Sequence, residues 1–160
     1  MSKPFNKQLL SPCRPVGAGT AFPPQSRALC EKEAMIQISS ENKEQELKTY
    51  CQKWLSYLAD SDFDSASSMI DSPNCYGLSW GKQEIIEALI NYFGETMEFH
   101  IQKVDLSECS PCYLERNDGG LLYEFNLPAN GKLTDLTVQF EFNQKPNNKF
   151  EVIIHDIHVL

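Results

Sequence analysis

The hydrophobic period of this chain changes once, at Gly94, and that change limits the fold more than any single motif does. Before it, apolar residues recur every three or four positions. Leu47, Tyr50, Cys51, Trp54, Leu55 and Leu58 form one such stripe, and Ile85, Ile86, Leu89, Ile90 and Phe93 form another. That spacing predicts amphipathic helices. Ser40 is the expected N-cap of the first helix, with Glu41 and Glu44 in the turn where the helix dipole favours acids, and the helix should stop near Asp60. Phe63, Ala66, Met69 and Ile70 predict a short second helix that ends before Ser72 and Pro73. Residues 75–80 read as one brief strand, Ser79 as the cap of a third helix, and Gly94 as its C-terminal stop.

After Gly94 the period is two. Strands are expected at 97–106, 112–115, 121–127 and 150–160. Asp118-Gly119-Gly120, Asn130-Gly131 and Pro146-Asn147-Asn148 supply turns. The clearest strand alternates Leu136, Val138, Phe140 and Phe142 with Thr137, Gln139 and Glu141, so one face is core and the other polar. Helices first and antiparallel strands after define an α+β class.

The first 34 residues break both patterns. They hold five of the nine prolines, with Gly17 and Gly19 adding further breaks, and read as a disordered or extended leader. Met35 stands where periodic sequence begins. It reads as the natural start, with the leader as an upstream extension; a functional tail is the alternative. Residues 35–160 read as a single domain. The leader carries +3, which leaves −11 on residues 35–160 of a chain with a net charge of −8. That balance argues against nucleic acid, which needs clustered Lys and Arg, and against an anionic membrane surface. A basic protein partner fits better. No apolar run approaches the ~18 residues of a membrane span, and no signal-peptide stretch opens the chain. The expected location is cytoplasmic, with Cys13, Cys30, Cys51, Cys75, Cys109 and Cys112 as reduced thiols.

The order of helix, short helix, brief strand, helix, then four to six antiparallel strands resembles the cone of nuclear transport factor 2 and its relatives. That resemblance implies a curved sheet wrapped on a long helix, a fold that hosts enzymes, ligand binders and assembly modules alike. A narrower resemblance lies at the end. The segment Leu133-Thr134-Asp135-Leu136-Thr137-Val138, followed by Ile154-His155-Asp156-Ile157-His158-Val159-Leu160, is similar to the ending of an uncharacterised bacterial domain family. It implies a bacterial source and a shared sheet, and it brings no activity.

Asp156 and His158 are the candidate catalytic residues. Two apart on a strand, they share a face with Phe150, Val152 and Ile154, and a carboxylate beside an imidazole can make a base. A buried pair that fixes the strand is the plainer reading. The same alternation puts His155 and His158 on opposite faces, so the His-x-x-His spacing is not expected to hold a metal. Cys109 and Cys112 form a Cys-x-x-Cys between strands, without the helix start of a redox motif or a second pair for zinc. Trp54, Trp80 and Tyr123 are candidate pocket-lining aromatics, with core packing as the competing role. Asp60, Asp62 and Asp64 read as caps and a solvated face. No phosphate loop, hydrolase elbow or kinase signature occurs, and no cofactor is expected.

Three functions remain. The first is a non-enzymatic binding protein, such as an inhibitor or immunity-type protein that neutralises a basic enzyme. The second is a small-molecule pocket or an isomerase, dehydratase or hydrolase-like enzyme using Asp156 and His158. The third is a homodimer through the sheet face of Thr137, Gln139 and Glu141. A closed cavity around Asp156 and His158 would favour the second; an exposed strand end would disfavour it.

Overall fold

A computed structural model of the chain describes residues 35–160, so the expected leader lies outside the described residues. Three helices pack on a curled five-stranded antiparallel sheet. The helices are α1 (Lys43–Ala59), α2 (Phe63–Ser68) and α3 (Lys82–Phe93). The strands are β1 (Ile36–Gln37), β2 (Cys112–Glu115), β3 (Leu121–Ala129), β4 (Lys132–Lys145) and β5 (Lys149–Val159), in spatial order β1-β5-β4-β3-β2. The α+β, cone-like architecture is therefore the one expected. Among the described residues, no helix is long and apolar enough to cross a membrane.

The helical stripe of α1 buries Leu47, Cys51, Trp54, Leu55 and Leu58 against the sheet. Trp54 is the centre of that contact. Its ring meets Phe140 edge-on at 5.2 Å and Phe125 at 6.4 Å, and those two rings stack at 6.2 Å. Phe142 continues the row and takes Tyr50 of α1 edge-on at 5.8 Å. The alternation along β4 thus becomes an aromatic ladder on the inner face.

Helix starts differ from expectation. Asn42, not Ser40, caps α1. Glu46 reaches back from the first turn and accepts from the Ser39 N–H at 3.1 Å, which shifts the entry of the chain by two residues. Gly81, not Ser79, caps α3, and Glu84 folds over it, with Oε2 2.8 Å from where a Cβ would lie. Asp62 caps α2 through the Ser65 N–H, while Asp60 pairs with Lys103 and Asp64 with Lys82.

Two expected strands are absent. Residues 75–80 form a loop because Asn74 organises it. Its Oδ1 accepts from Tyr76 and Leu78, and its Nδ2 donates to the His155 carbonyl of β5. Residues 97–106 touch the sheet by a single bridge, Ile101 to Ala129. Their remaining backbone groups find other partners. The Gln52 side chain of α1 donates to the Val104 carbonyl and accepts from the Leu106 N–H, and the Asn130 side chain accepts from His100. A segment bound by side chains has no ladder to join.

The sheet edges are covered unequally. β5 is lined by β1, then by Asp71, whose N–H and carboxylate bond Val152 at 2.8 and 2.7 Å, then by Asn74. The Asn130-Gly131 turn joins β3 to β4 with φ of 53° and 81°, the geometry an Asn-Gly hairpin is built for.

Truncating the aromatic ladder should cost what a large core cavity costs. Phe140→Ala is expected to lower unfolding free energy by about 3–5 kcal/mol, measured by urea denaturation; a loss under ~1 kcal/mol would remove the ladder from its central place. A second expectation concerns acid. Asp62 (bonded by Ser65), Asp105 (by Lys48), Glu115 (by Lys43), Asp118 (by the Gly120 N–H) and Glu151 (by Ser72) all titrate below their ordinary range. Depressed carboxylates stabilise the fold fully above their unfolded values, near 4, and lose that contribution as pH falls through the lower folded values. The urea midpoint should therefore be flat from neutral pH to about 5 and drop below about 4; a rise on acidification would contradict this.

Candidate functional site

The site is set by an irregularity in β5. Phe140 of β4 pairs with Ile154, but the next β4 residue, Gln139, pairs with Asp156. His155 is therefore an extra residue, a β-bulge, and every side chain beyond it changes face. Phe150, Val152 and Ile154 point to the core, and then Ile157, opposite Val138, and Val159, opposite Leu136, take over that face. Asp156 and His158 do not continue the apolar row as expected; they lie on the outer face. His155 reaches that side too, with Nδ1 3.1 Å from Glu141 Oε1 but outside hydrogen-bond alignment, and its ring 5.8 Å from Tyr76. The expected separation of His155 from His158 to opposite faces is thus corrected. Among the described residues, no group of three or more His, Cys, Asp or Glu is placed to share a metal ion.

The sequence holds the trace of this bulge. The core-facing residues Phe150, Val152 and Ile154 fall on even numbers and Ile157 and Val159 on odd ones, while Ile153, also apolar, lies on the other face beside Glu141. A strict period of two treats that phase change as noise.

Asp156 Oδ2 stands 3.6 Å from His158 Nδ1, beyond hydrogen-bond length, while Asp156 Oδ1 accepts from the Ile157 N–H. The two side chains are 50% and 31% exposed. They are not enclosed.

His158 does border an open cleft of about 510 Å³ between α3 and the ends of β4 and β5. Leu136, Ile157 and Ala88 give it an apolar floor, and Leu78 and Trp80 close one end. Glu84, Glu87, Asn91 and Tyr92 of α3 form the other wall. Among the described residues, the lining has two carboxylates and no Lys or Arg. Leu78 and Val159 are large apolar residues left exposed at its mouth. Just outside, the Tyr92 hydroxyl donates to Asp135, and that bond to a carboxylate holds the phenol above its usual range.

Of the three candidate aromatics, only Trp80 lines this cleft. It is 6% exposed, and its indole N–H is buried without a partner. Trp54 and Tyr123 are packed in the core instead, because the sheet curls tightly enough for α1 to fill its inner face. The α3 carboxylates escaped the sequence reading, since Glu84 and Glu87 look like any solvated helix face until β5 is placed beside them.

A second cleft, of about 560 Å³, lies at the first turns of α1. Its two lysines are already engaged: Lys43 bonds Glu115 at 2.9 Å and Lys48 bonds Asp105 at 2.8 Å, while Glu41 and Glu44 also line it. Thr137, expected on an exposed sheet face, is fully buried, and Glu141 is held between His155 and Arg116. No protein-family model and no curated protein matches the chain.

The Cys-x-x-Cys is split between environments. Cys109 is buried and its thiol is pushed up to about 11, chiefly by desolvation, whereas Cys112 is exposed. Buried Cys51 is raised well above its ordinary value for the same reason. Of the four described cysteines, Cys75 and Cys112 should be alkylated by iodoacetamide in the native state, and Cys51 and Cys109 only on unfolding. Peptide mass spectrometry checks this; native labelling of Cys109 would contradict the burial.

Proposed function

We propose that the protein acts by contact, as a non-enzymatic binding protein for a basic protein partner, and that the α3–β5 cleft is part of its working surface. An inhibitor of the immunity type, neutralising a cationic enzyme in the cytoplasm, is the form of this reading that we favour. The observation that carries it is the charge left over after internal pairing. Six of the nine Lys and Arg side chains in residues 35–160 already hold carboxylates: Lys43, Lys48, Lys82, Lys103, Arg116 and Lys145. Such exposed pairs add little stability, about 0–1 kcal/mol each, but they remove the cations from play. The cleft wall keeps Glu84 and Glu87 beside exposed apolar Leu78 and Val159. An apolar floor inside an acidic rim suits a cationic, amphipathic surface and would steer its approach.

The enzyme reading draws less support. Its two residues, Asp156 and His158, are half-exposed on the outer face and 3.6 Å apart, with no enclosing chamber to exclude water. The four described cysteines are free thiols, two of them exposed, which suits the reducing compartment that the proposal requires.

Immobilised protein, incubated with extract of the producing cell, should retain one basic partner in stoichiometric amount. The purified pair should associate at least about tenfold more slowly when ionic strength rises from about 0.05 to about 0.5 M, as stopped-flow fluorescence would record. Recovery of no stable partner, or association indifferent to salt, would sink the proposal.

A further inference from the structure

We infer that the Asn130-Gly131 turn is a site of covalent self-modification: its asparagine is protected while the β3–β4 hairpin is closed and converts to isoaspartate when the hairpin opens. It is the chain's one Asn-Gly pair. Both residues are exposed, so water reaches them. Among the described residues, no atom stands within 4 Å of where a Cβ on Gly131 would lie. The chemistry needs only water. The Gly131 main-chain nitrogen attacks the Asn130 side-chain carbonyl carbon and closes a five-membered succinimide. The bond from that carbon to Nδ2 breaks, and the proton of the Gly131 N–H leaves with the ammonia. Water then opens the ring at either carbonyl, giving aspartate or isoaspartate.

The folded turn blocks the first step. Asn130 has a φ of 53°, in the left-handed region. There the next nitrogen lies nearly opposite Cβ about the Cα–C bond, whereas ring closure needs it on the same side. Rotating that bond breaks the Ala129–Lys132 pairing that closes the hairpin. The side chain is held as well. Asn130 Oδ1 accepts from the His100 N–H at 2.9 Å, and the Asn130 N–H donates to the His100 carbonyl at 3.0 Å. Asp118-Gly119 contains the same ring-forming atoms, but its carboxylate, bonded by Arg116 and the Gly120 N–H, is a poor electrophile. Isomerisation there also leaves the mass unchanged.

Isoaspartate does not fit back. It inserts a methylene into the main chain of a two-residue loop and takes the carbonyl that served His100 into the backbone. The same turn anchors the segment beside the end of β3. His100 is held by Asn130, Ile101 bridges to Ala129, and the Gln102 N–H donates to the Pro128 carbonyl at 3.0 Å. Conversion therefore makes a transient opening permanent and frees residues 100–102 from the sheet.

The test incubates the full chain folded in buffer and, in parallel, unfolded in urea. Peptide mass spectrometry reads the change from amide to acid at Asn130, with fragmentation that separates isoaspartate from aspartate. Conversion should be at least about tenfold slower in the folded chain, because only the opened fraction reacts. His100→Pro, which removes the N–H that Asn130 Oδ1 accepts, should speed it at least about twofold, the lower bound for one lost hydrogen bond. The unmutated chain gives an independent answer. In urea below the unfolding transition, its conversion should rise in step with hydrogen exchange at the Asn130 amide. After conversion, the His100 and Gln102 amides should exchange faster, whereas Asn130→Asp, which keeps the main chain and an acceptor, should leave them protected. Equal rates in folded and unfolded chain, no conversion in either, an unchanged rate in folded His100→Pro, conversion indifferent to urea below the transition, or a converted chain with exchange unaltered at His100 and Gln102 would overturn the inference.

Discussion

The contact of Trp54 with the aromatic ladder of β3 and β4 is what the rest of the fold depends on. Trp54 is fully buried and meets Phe125 and Phe140 edge-on, the geometry in which ring quadrupoles attract. It fixes the long helix across the concave face. Once α1 is seated there, α3 is left to cover the end of the sheet where Leu136 and Ile157 emerge. The cost is visible in the same residue, because its indole N–H is buried without a partner. Large aromatic burial offsets a penalty of about 1–3 kcal/mol.

From that seating the cleft follows. The inner face is too full to hold a ligand, so Trp54 and Tyr123 are structural. The open space lies at the margin, where α3 stands off from the ends of β4 and β5. The charge distribution reinforces this division. Around the start of α1, Lys43 and Lys48 are held by Glu115 and Asp105. Around the cleft, no described lysine or arginine stands beside Glu84 and Glu87 in the lining.

Much of the fold was legible because period reports directly on element type. The helical stripe of α1, the alternation of β4 and the Asn-Gly turn stand as read, while of the α3 stripe Ile85 and Leu89 are buried, Phe93 packs partly buried, and Ile86 and Ile90 stay outside the core. The misreadings share one cause, which is that side chains took over bonds that a sequence pattern assigns to backbone. Asn74 ties residues 75–80 into a loop, Gln52 holds Val104 and Leu106, and Glu46 moves the start of α1. None of these acts through hydrophobic period. The candidate site was legible in part. Trp80 and His158 were singled out, but as members of a core pocket and a catalytic pair. Their true neighbourhood depends on a bulge that a uniform period of two conceals, and on Glu84 and Glu87, which carry no local signal.

The bulge at His155 also separates two kinds of inheritance. Upstream of it, even-numbered residues of β5 answer to the core; downstream, odd-numbered ones do, and Asp156 and His158 are released from packing duty. Substitutions at those two positions can accumulate without disturbing the interior, whereas loss of the single extra residue would exchange the buried and exposed rows for the remainder of the strand. The end of β5 is thus a surface whose packing tolerates a change of chemistry at Asp156 and His158, but not a change of length.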